Sequence, residues 1–389
     1  MSLPVLTLIY LLTPIIVISV VIIIHELGHY WAGRAFNSAI KSYSIGFGPQ
    51  LLSIRDKRGT DWKISALPLG GFVSWFDDDD PELEKRNAAG VQVSGLNVWK
   101  RAVIAVAGPL ANFILAIAVF AGFGMTLGDP LVQIQITNVE ENSAAQEAGL
   151  LPGDIFLEVN GREANKQDRF QQEIKLSSGD PVRFVVERDG APLAITATPK
   201  RAEMDNGIGI KQQTGKLGIE YRPTLVDRNR LNPVAAIGYG ARETYNAVAT
   251  SIRMLGRIVT GKESIQSLSG PVGIANTVGT TAKASLEIEQ ISFMQRLYVA
   301  GMSMLQLIAY ISVAVGFFNL LPLPILDGGR LVFHAYEALT GRLPSERIEA
   351  VSMTLTLAFL AMMALFITIG DFHRRPSDFV NVLHFSVEC

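Results

Sequence analysis

Two histidines and a glutamate stand together in Ile24-His25-Glu26-Leu27-Gly28-His29. If a helix runs through them, His25 and His29 lie on one face, one turn apart, and can hold a single metal ion. Glu26 sits beside that edge, where its carboxylate can take a proton from a metal-bound water. The chemistry this permits is hydrolysis by an activated water. The motif ends an apolar run, for Val5–Ile24 has no charged residue in twenty positions. At about 1.5 Å of rise per residue such a run covers roughly 30 Å, the thickness of a bilayer's hydrocarbon core.

A short pattern with three fixed letters also arises by chance, and a buried histidine can be a hydrogen-bonded packing residue. The membrane setting weighs against both. An ionisable residue inside a span costs about 2.5–3.5 kcal/mol on insertion scales, so three in one turn need a common reason. His-Glu-x-x-His on a helix is also the spacing of zinc-dependent peptidases.

The elements that must position this turn are apolar helices. Val5–Ile24, Ala102–Met125, Gly301–Leu326 and Val351–Gly370 are each long enough to span and carry no acidic or basic residue. Four spans put both termini on one side, so spans one and three run in the same direction. Span three ends in Leu326-Asp327-Gly328-Gly329, which brings Asp327 to the depth of His25 and His29 and supplies a third ligand. Pro322 and Pro324 interrupt the helix just before it, freeing backbone groups that need partners within the protein or a wet cavity. His334 is a rival ligand, but seven residues along a continuing helix place it about 10 Å from Asp327.

The 389 residues leave room for two or three units. A hydrophobic content of 49% and a charged content of 18%, with mean hydropathy +0.28, point to membrane spans. A net charge of −2 gives no electrostatic case for nucleic acid. The single cysteine, Cys389, excludes disulfides and multi-thiolate metal sites within one chain. The first run lacks a basic n-region and is too long for a cleavable signal peptide. Arg34, Lys41, Lys100, Arg101, Arg330, Arg342 and Arg347 flank the spans on the metal-site side, against Arg296, Arg374 and Arg375 on the other. By the positive-inside rule the metal site faces the cytoplasm, with the Arg374-Arg375 pair arguing mildly the other way.

Between spans one and two, Trp62, Ile64 and Ala66 alternate with Lys63 and Ser65, the period of a strand. A turn at Arg58-Gly59 makes Leu51–Leu67 a hairpin, after the glycine-punctuated Ser44–Gly48. It can be an ordinary surface hairpin or an edge that pairs with an extended substrate. Asp77–Asp80 reads as a solvated loop. In span two, Gly108-Pro109-Leu110-Ala111-Asn112 carries an asparagine that can hydrogen-bond a neighbouring helix.

From Leu131 to Pro223 the composition turns to short β-rich runs. Val132–Ile136 alternates as a strand, Ser143–Leu150 holds a short helix, and Phe156–Val159 is a strand closed by the Asn160-Gly161 turn. Asp168–Leu176 is a second helix, and Val182–Glu187 and Leu193–Thr198 form a hairpin over Asp189-Gly190. With its Ala-Gly-Leu-x-x-Gly-Asp-x-Ile pattern, this order resembles the circularly permuted bacterial PDZ domain. Leu217-Gly218-Ile219 then resemble its peptide-binding loop and strand. From Pro233 to Ile274, Tyr245, Ala249, Ile252, Leu255 and Ile258 or Val259 recur at helical spacing, which fits a helix lying in the membrane surface or one packed on the β-rich unit.

Together, His25-Glu26-x-x-His29, the Gly-Pro-x-x-Asn of span two, Asn319-Leu-Leu-Pro322-x-Pro324-x-Leu-Asp327-Gly-Gly and the intervening domain resemble the site-2 protease family of zinc intramembrane metalloproteases. Within it they are most similar to the bacterial RseP-type branch (regulator of sigma-E protease), here with one PDZ domain. The resemblance covers nearly the whole chain. It implies Zn2+ held by His25, His29 and Asp327, with Glu26 as general base. It also implies a substrate cleft shaped by Asn319, Pro322 and Pro324, with which Asn112 is grouped, and a membrane-dipping hairpin that clamps substrate as a strand. Two positions depart from the family: Ala314 stands where some members have asparagine, and one PDZ domain stands where the best-known members have two.

The expected fold is a polytopic α-helical membrane protein with four transmembrane helices and an inserted α+β PDZ domain. Its parts are 1–33 with the first helix, 34–101 with the hairpin, 102–125, the domain at 131–223, an amphipathic interfacial segment at 224–300, 301–329, 351–370 and a tail at 371–389. The expected activity is hydrolysis of peptide bonds within or near transmembrane segments of single-pass membrane proteins, such as an anti-sigma factor already cut on its outer side. The setting is the bacterial inner membrane, with the PDZ domain on the periplasmic face and the lipid bilayer as partner. A membrane PDZ scaffold without catalysis, or an ion transporter using the same His, Glu and Asp, is the competing class; a transporter would tend to show internal repeats.

Overall fold

The computed structural model describes residues 3–38, 40–75, 96–205, 211–263, 265, 268 and 270–372. Asp77–Asp80, Arg374, Arg375 and Cys389 lie outside them. In chain order the elements are α1 (Leu3–Ala35), β1 (Ile40–Arg55), β2 (Asp61–Trp75) and α2 (Val98–Thr126). Then come β3 (Asp129–Val139), α3 (Ala144–Glu147), β4 (Ile155–Val159), β5 (Arg162–Glu163), α4 (Gln167–Leu176), β6 (Val182–Arg188) and β7 (Ala191–Ala197). The rest are β8 (Lys200–Asp205), β9 (Lys211–Lys216), β10 (Ile219–Asn229), α5 (Pro233–Val259), α6 (Pro271–Leu286), α7 (Phe293–Asn319), α8 (Asp327–Thr340) and α9 (Glu346–Phe372). Within the described residues, Met1–Phe120, Gly240–Ser251 and Ser269–Phe372 form one unit, and Ala121–Tyr239 with Ile252–Leu268 a second.

The first unit is mainly helical and also holds the β1–β2 hairpin. Thr7–Ala35, Val98–Thr126, Phe293–Asn319 and Glu346–Thr368 are long and apolar enough to cross a membrane. Their outward faces stay apolar, as with Leu11 and Ile16 on α1 and Leu355, Met362 and Leu365 on α9. α1 continues past Ile24 to Ala35, so the histidine motif lies inside a helix rather than at its end. The third apolar run is not one helix to Asp327. α7 stops at Asn319 and Leu320–Leu326 is irregular, because Pro322 and Pro324 have no N–H to continue a helical ladder. Asp327 therefore opens α8 instead of closing α7.

The hairpin is longer than Leu51–Leu67. Its turn lies at Asp56–Thr60, and Gly46 and Gly48, read as loop punctuation, sit inside β1 with φ of +87° and +85°. A side chain at Gly46 would stand 2.5 Å from the Leu67 carbonyl oxygen, so glycine lets the strand bulge there. Ser42, Tyr43, Ser44 and Ile45 lie opposite Asp61, Trp62, Lys63 and Ile64, and also opposite Ser74, Val73, Phe72 and Gly71. Gly71–Trp75 is thus an outer edge. The buried Tyr43 ties the hairpin to α1 by donating its hydroxyl to the Ile23 carbonyl at 2.9 Å.

The expected interfacial segment 224–300 resolves into unlike parts. α6 packs on α1, where Gly279 lets the Tyr10 ring against its backbone and the Tyr10 hydroxyl donates to Asn276. Thr277, Thr280, Thr281 and Ser285 satisfy their hydroxyls on carbonyls one turn earlier, as polar residues do among apolar neighbours. α5 instead leaves a stripe of Val234, Ile237, Tyr245, Ile252 and Val259 exposed.

The second unit is built on a sheet of order β10-β3-β4-β6-β7, with β5 on β4, and a separate β8–β9 hairpin. Alternation along its strands points Ile134, Ile136, Phe156, Val182, Phe184 and Val186 into one core with Phe170 of α4. Asn160-Gly161 and Asp189-Gly190 take positive φ at both residues, which suits two-residue turns to the twist of the strands they join. The sheet outruns the expected 131–223, from Asp129 to Asn229. Pro223 is accommodated because β10 is an edge strand.

Candidate metal centre

Helix α1 presents His25 and His29 one turn apart, buried to 7% and 8% exposure. Glycines let the neighbouring backbones close on them. A side chain on Gly28 would stand 2.2 Å from the Ala107 carbonyl oxygen, and one on Gly108 would stand 2.3 Å from His29 Nε2. Asp327 arrives in the first turn of α8, where backbone N–H groups favour a carboxylate. Gly328 and Gly329 pack beneath Leu320–Pro324, leaving no space for a side chain at either position.

The three side chains converge. Asp327 Oδ2 lies 3.1 Å from His25 Nε2 and 3.3 Å from His29 Nε2, and the two nitrogens are 3.2 Å apart. His29 Nδ1 faces the Ile104 carbonyl oxygen at 2.8 Å, which assigns the proton to Nδ1 and leaves Nε2 a lone pair aimed inward. Asp327 Oδ2 is buried without a hydrogen bond among the described residues. Lone pairs gathered this closely in a buried site need a cation between them. Ligands about 2.0–2.1 Å from a common tetrahedral centre stand about 3.3 Å apart, so the donor set fits zinc.

Beside this cluster, Glu26 Oε2 accepts the backbone N–H of Val73 at 3.1 Å. Asn319 is the last residue of α7, and Pro322 and Pro324 shape the irregular segment that delivers Asp327. Asn112, grouped with the cleft by the resemblance, is fully buried, with Nδ2 3.3 Å from His25 Nδ1. His334 lies in α8, outside the cluster. In the second unit, Gly218 has φ +77°, and the Leu217 and Gly218 carbonyls accept the N–H groups of Ala145 and Glu140, leaving Ile219 to open the edge strand β10.

Sequence reasoning missed the backbone partners, the Val73 N–H and the Ile104 carbonyl, and also Ser312, which donates to the Asn112 carbonyl. Asn112, a polar residue in a span, was the signal that α2 meets a neighbouring helix, though not which one.

A model of peptidase family M50 matches residues 13–363. The chain belongs to peptidase family M50. It is 36% identical over 386 residues to the metalloprotease MmpA of Caulobacter vibrioides, covering 94% of this chain and 96% of that one. A protein of Agrobacterium fabrum, provisionally named a zinc metalloprotease, is 34% identical over 378 residues, 93% and 95% of the two chains. One of Rhizobium meliloti, named in the same way, is 32% identical over 374 residues, 92% and 95%.

M50 comprises the site-2 proteases, zinc-dependent and membrane-embedded, so the resemblance read from the motifs holds at the level of the family. The chain is accordingly a metalloprotease with zinc as its cofactor, and its four apolar helices suit a multi-pass membrane protein. Family membership favours this over a scaffold or an ion transporter.

Proposed function

We propose that this M50 peptidase is an intramembrane endopeptidase, cutting peptide bonds within or near transmembrane segments of single-pass membrane proteins. The observation that carries the proposal is the His25, His29 and Asp327 cluster, its two histidines on a helix long enough to span and its carboxylate in the first turn of α8, with Glu26 beside it. The three side chains are its zinc ligands. Bound there, zinc supplies a Lewis acid and lowers the pKa of a water at its open position. Glu26 takes the proton of the attacking water and later returns it to the leaving amine.

A helical substrate hides its scissile carbonyl behind its own hydrogen bonds and must be drawn out locally. Gly71–Trp75 is an edge able to pair with an extended segment by strand addition. By the family resemblance, Asn319, Pro322 and Pro324 shape the cleft. The second unit reads as a PDZ domain, with Leu217-Gly218-Ile219 as its peptide loop, and serves to select or exclude substrates. The basic residues flanking the spans support a metal site toward the cytoplasm of a bacterial inner membrane and this domain on the outer face. An anti-sigma factor trimmed beforehand on its outer side is the substrate that the family resemblance favours.

Glu26→Gln tests the reading. Purified protein keeps its zinc while cleavage of a model transmembrane substrate falls by about 10²–10⁴-fold. Undiminished cleavage overturns the assignment.

A further inference from the structure

We infer that Asn112 is a positioning residue of the metal centre: its side-chain carbonyl accepts the Nδ1–H of His25 and so fixes the tautomer that turns Nε2 toward Asp327. This rests on His25, His29 and Asp327 being the ligands. A histidine that binds metal through Nε2 carries its proton on Nδ1, and the acceptor of that proton sets both tautomer and ring plane. For His29 the acceptor is the Ile104 carbonyl of α2. The group facing His25 Nδ1, on the same helix two turns further along, is the Asn112 amide.

The two ends of an amide are told apart by their partners. With Nδ2 turned to Nδ1–H, two donors would face each other and Oδ1 would stay buried with no hydrogen bond among the described residues. An acceptor buried without a donor is unfavourable, because it has given up its water and gained nothing in return. With Oδ1 toward the imidazole, the orphan finds its donor and the ring its acceptor. Asn112 has no exposed surface, so contact with substrate does not explain it.

The helices hold the amide in place. Ser312 of α7, also fully buried, donates to the Asn112 backbone carbonyl at 3.0 Å. Gly316 of α7 packs so closely that its added Cβ would lie 3.3 Å from Asn112 Cβ. Three helices therefore meet at Asn112, α7 bracing α2 and α2 orienting an imidazole of α1; that imidazole in turn faces the carboxylate of a fourth, α8.

The test compares Asn112→Leu, which removes the acceptor and keeps the branched outline, with Asn112→Asp, which keeps the acceptor, in the full-length purified chain. Zinc affinity is measured by competition with a chelator, the ligand field by the visible spectrum of the Co2+-loaded protein, and folding by thermal unfolding of the metal-free form. Asn112→Leu lowers zinc affinity about 10–100-fold and alters the cobalt bands, and Asn112→Asp restores both. Wild-type affinity with an unchanged cobalt spectrum in Asn112→Leu overturns the proposal, as does equal loss in both variants.

If Asn112→Leu fails to fold, ¹⁵N-histidine NMR of the zinc-loaded wild type decides. A protonated, hydrogen-bonded Nδ1 on His25 supports the proposal, and an unprotonated one overturns it. His25→Ala separates this from the ligand reading. If that variant also binds zinc normally, the ligand assignment has failed; if it alone loses zinc, only the role of Asn112 has.

Discussion

Glu26 and Val73 are joined by one hydrogen bond, the backbone N–H of the edge strand donating to the carboxylate at 3.1 Å. The side chain proposed to move protons is thus held by the strand proposed to hold substrate. A substrate segment pairing along Gly71–Trp75 would meet the same N–H. Val73→Pro removes the donor while leaving the sheet intact, because that N–H points off the edge, where proline is tolerated. Losing a hydrogen bond to a charged group costs about 1.5–3 kcal/mol, or roughly 10–100-fold in cleavage of a model transmembrane substrate. Zinc content stays unchanged. Wild-type turnover would show that the contact has no part in placing the base.

Asp327→Asn keeps the shape of the third side chain and removes its charge. Zinc affinity falls by more than the roughly 10–100-fold expected for loss of an outer partner. Metal analysis after dialysis against a mild chelator measures it, and wild-type zinc content would remove Asp327 from the ligand set.

Gly108→Ala separates helix stability from metal binding. Alanine favours a helix by about 1 kcal/mol over glycine, but here its Cβ would stand 2.3 Å from His29 Nε2. The variant keeps its helical circular dichroism and loses zinc. Retained zinc would mean that α2 can withdraw without cost to the centre.

In the second unit, burial alone would raise the Asp154 pKa, but Arg188 and the Leu151 N–H hold it below the usual carboxylate range. A depressed carboxylate stabilises the fold above its unfolded pKa of about 3.9, and that contribution fades as pH falls through the folded value. Arg188→Met leaves the charge buried without its partner, a loss of about 2 kcal/mol at pH 7 that shrinks on acidification below about pH 4. Hydrogen-exchange protection of β4 and β6 in the full chain, corrected for intrinsic rates, reads the difference. A pH-independent difference would mean that Arg188 acts through packing.

What the sequence disclosed followed from how local each signal is. His25, Glu26 and His29 share one helical turn, and hydropathy alone set Asp327 at their depth. Strand alternation and the Asn-Gly and Asp-Gly turns placed most of the second unit. The β8–β9 pair, Lys200–Asp205 with Lys211–Lys216, escaped because its polar strands have no apolar alternation. Gly46 and Gly48 disguised a bulged strand as a loop. The Val73 N–H and the Ile104 carbonyl could not be read in advance, since nearly every residue carries both groups and only packing selects which ones serve. Asn112 was visible as a polar residue in a span, but its partner was not.

The paired imidazoles come early in the chain and the carboxylate that completes their cluster comes at residue 327, in the turn held together by Gly328 and Gly329. During synthesis, a chain that has not yet reached that turn has no complete site. The order of the residues thus leaves the cluster without its carboxylate until most of the protein has been made.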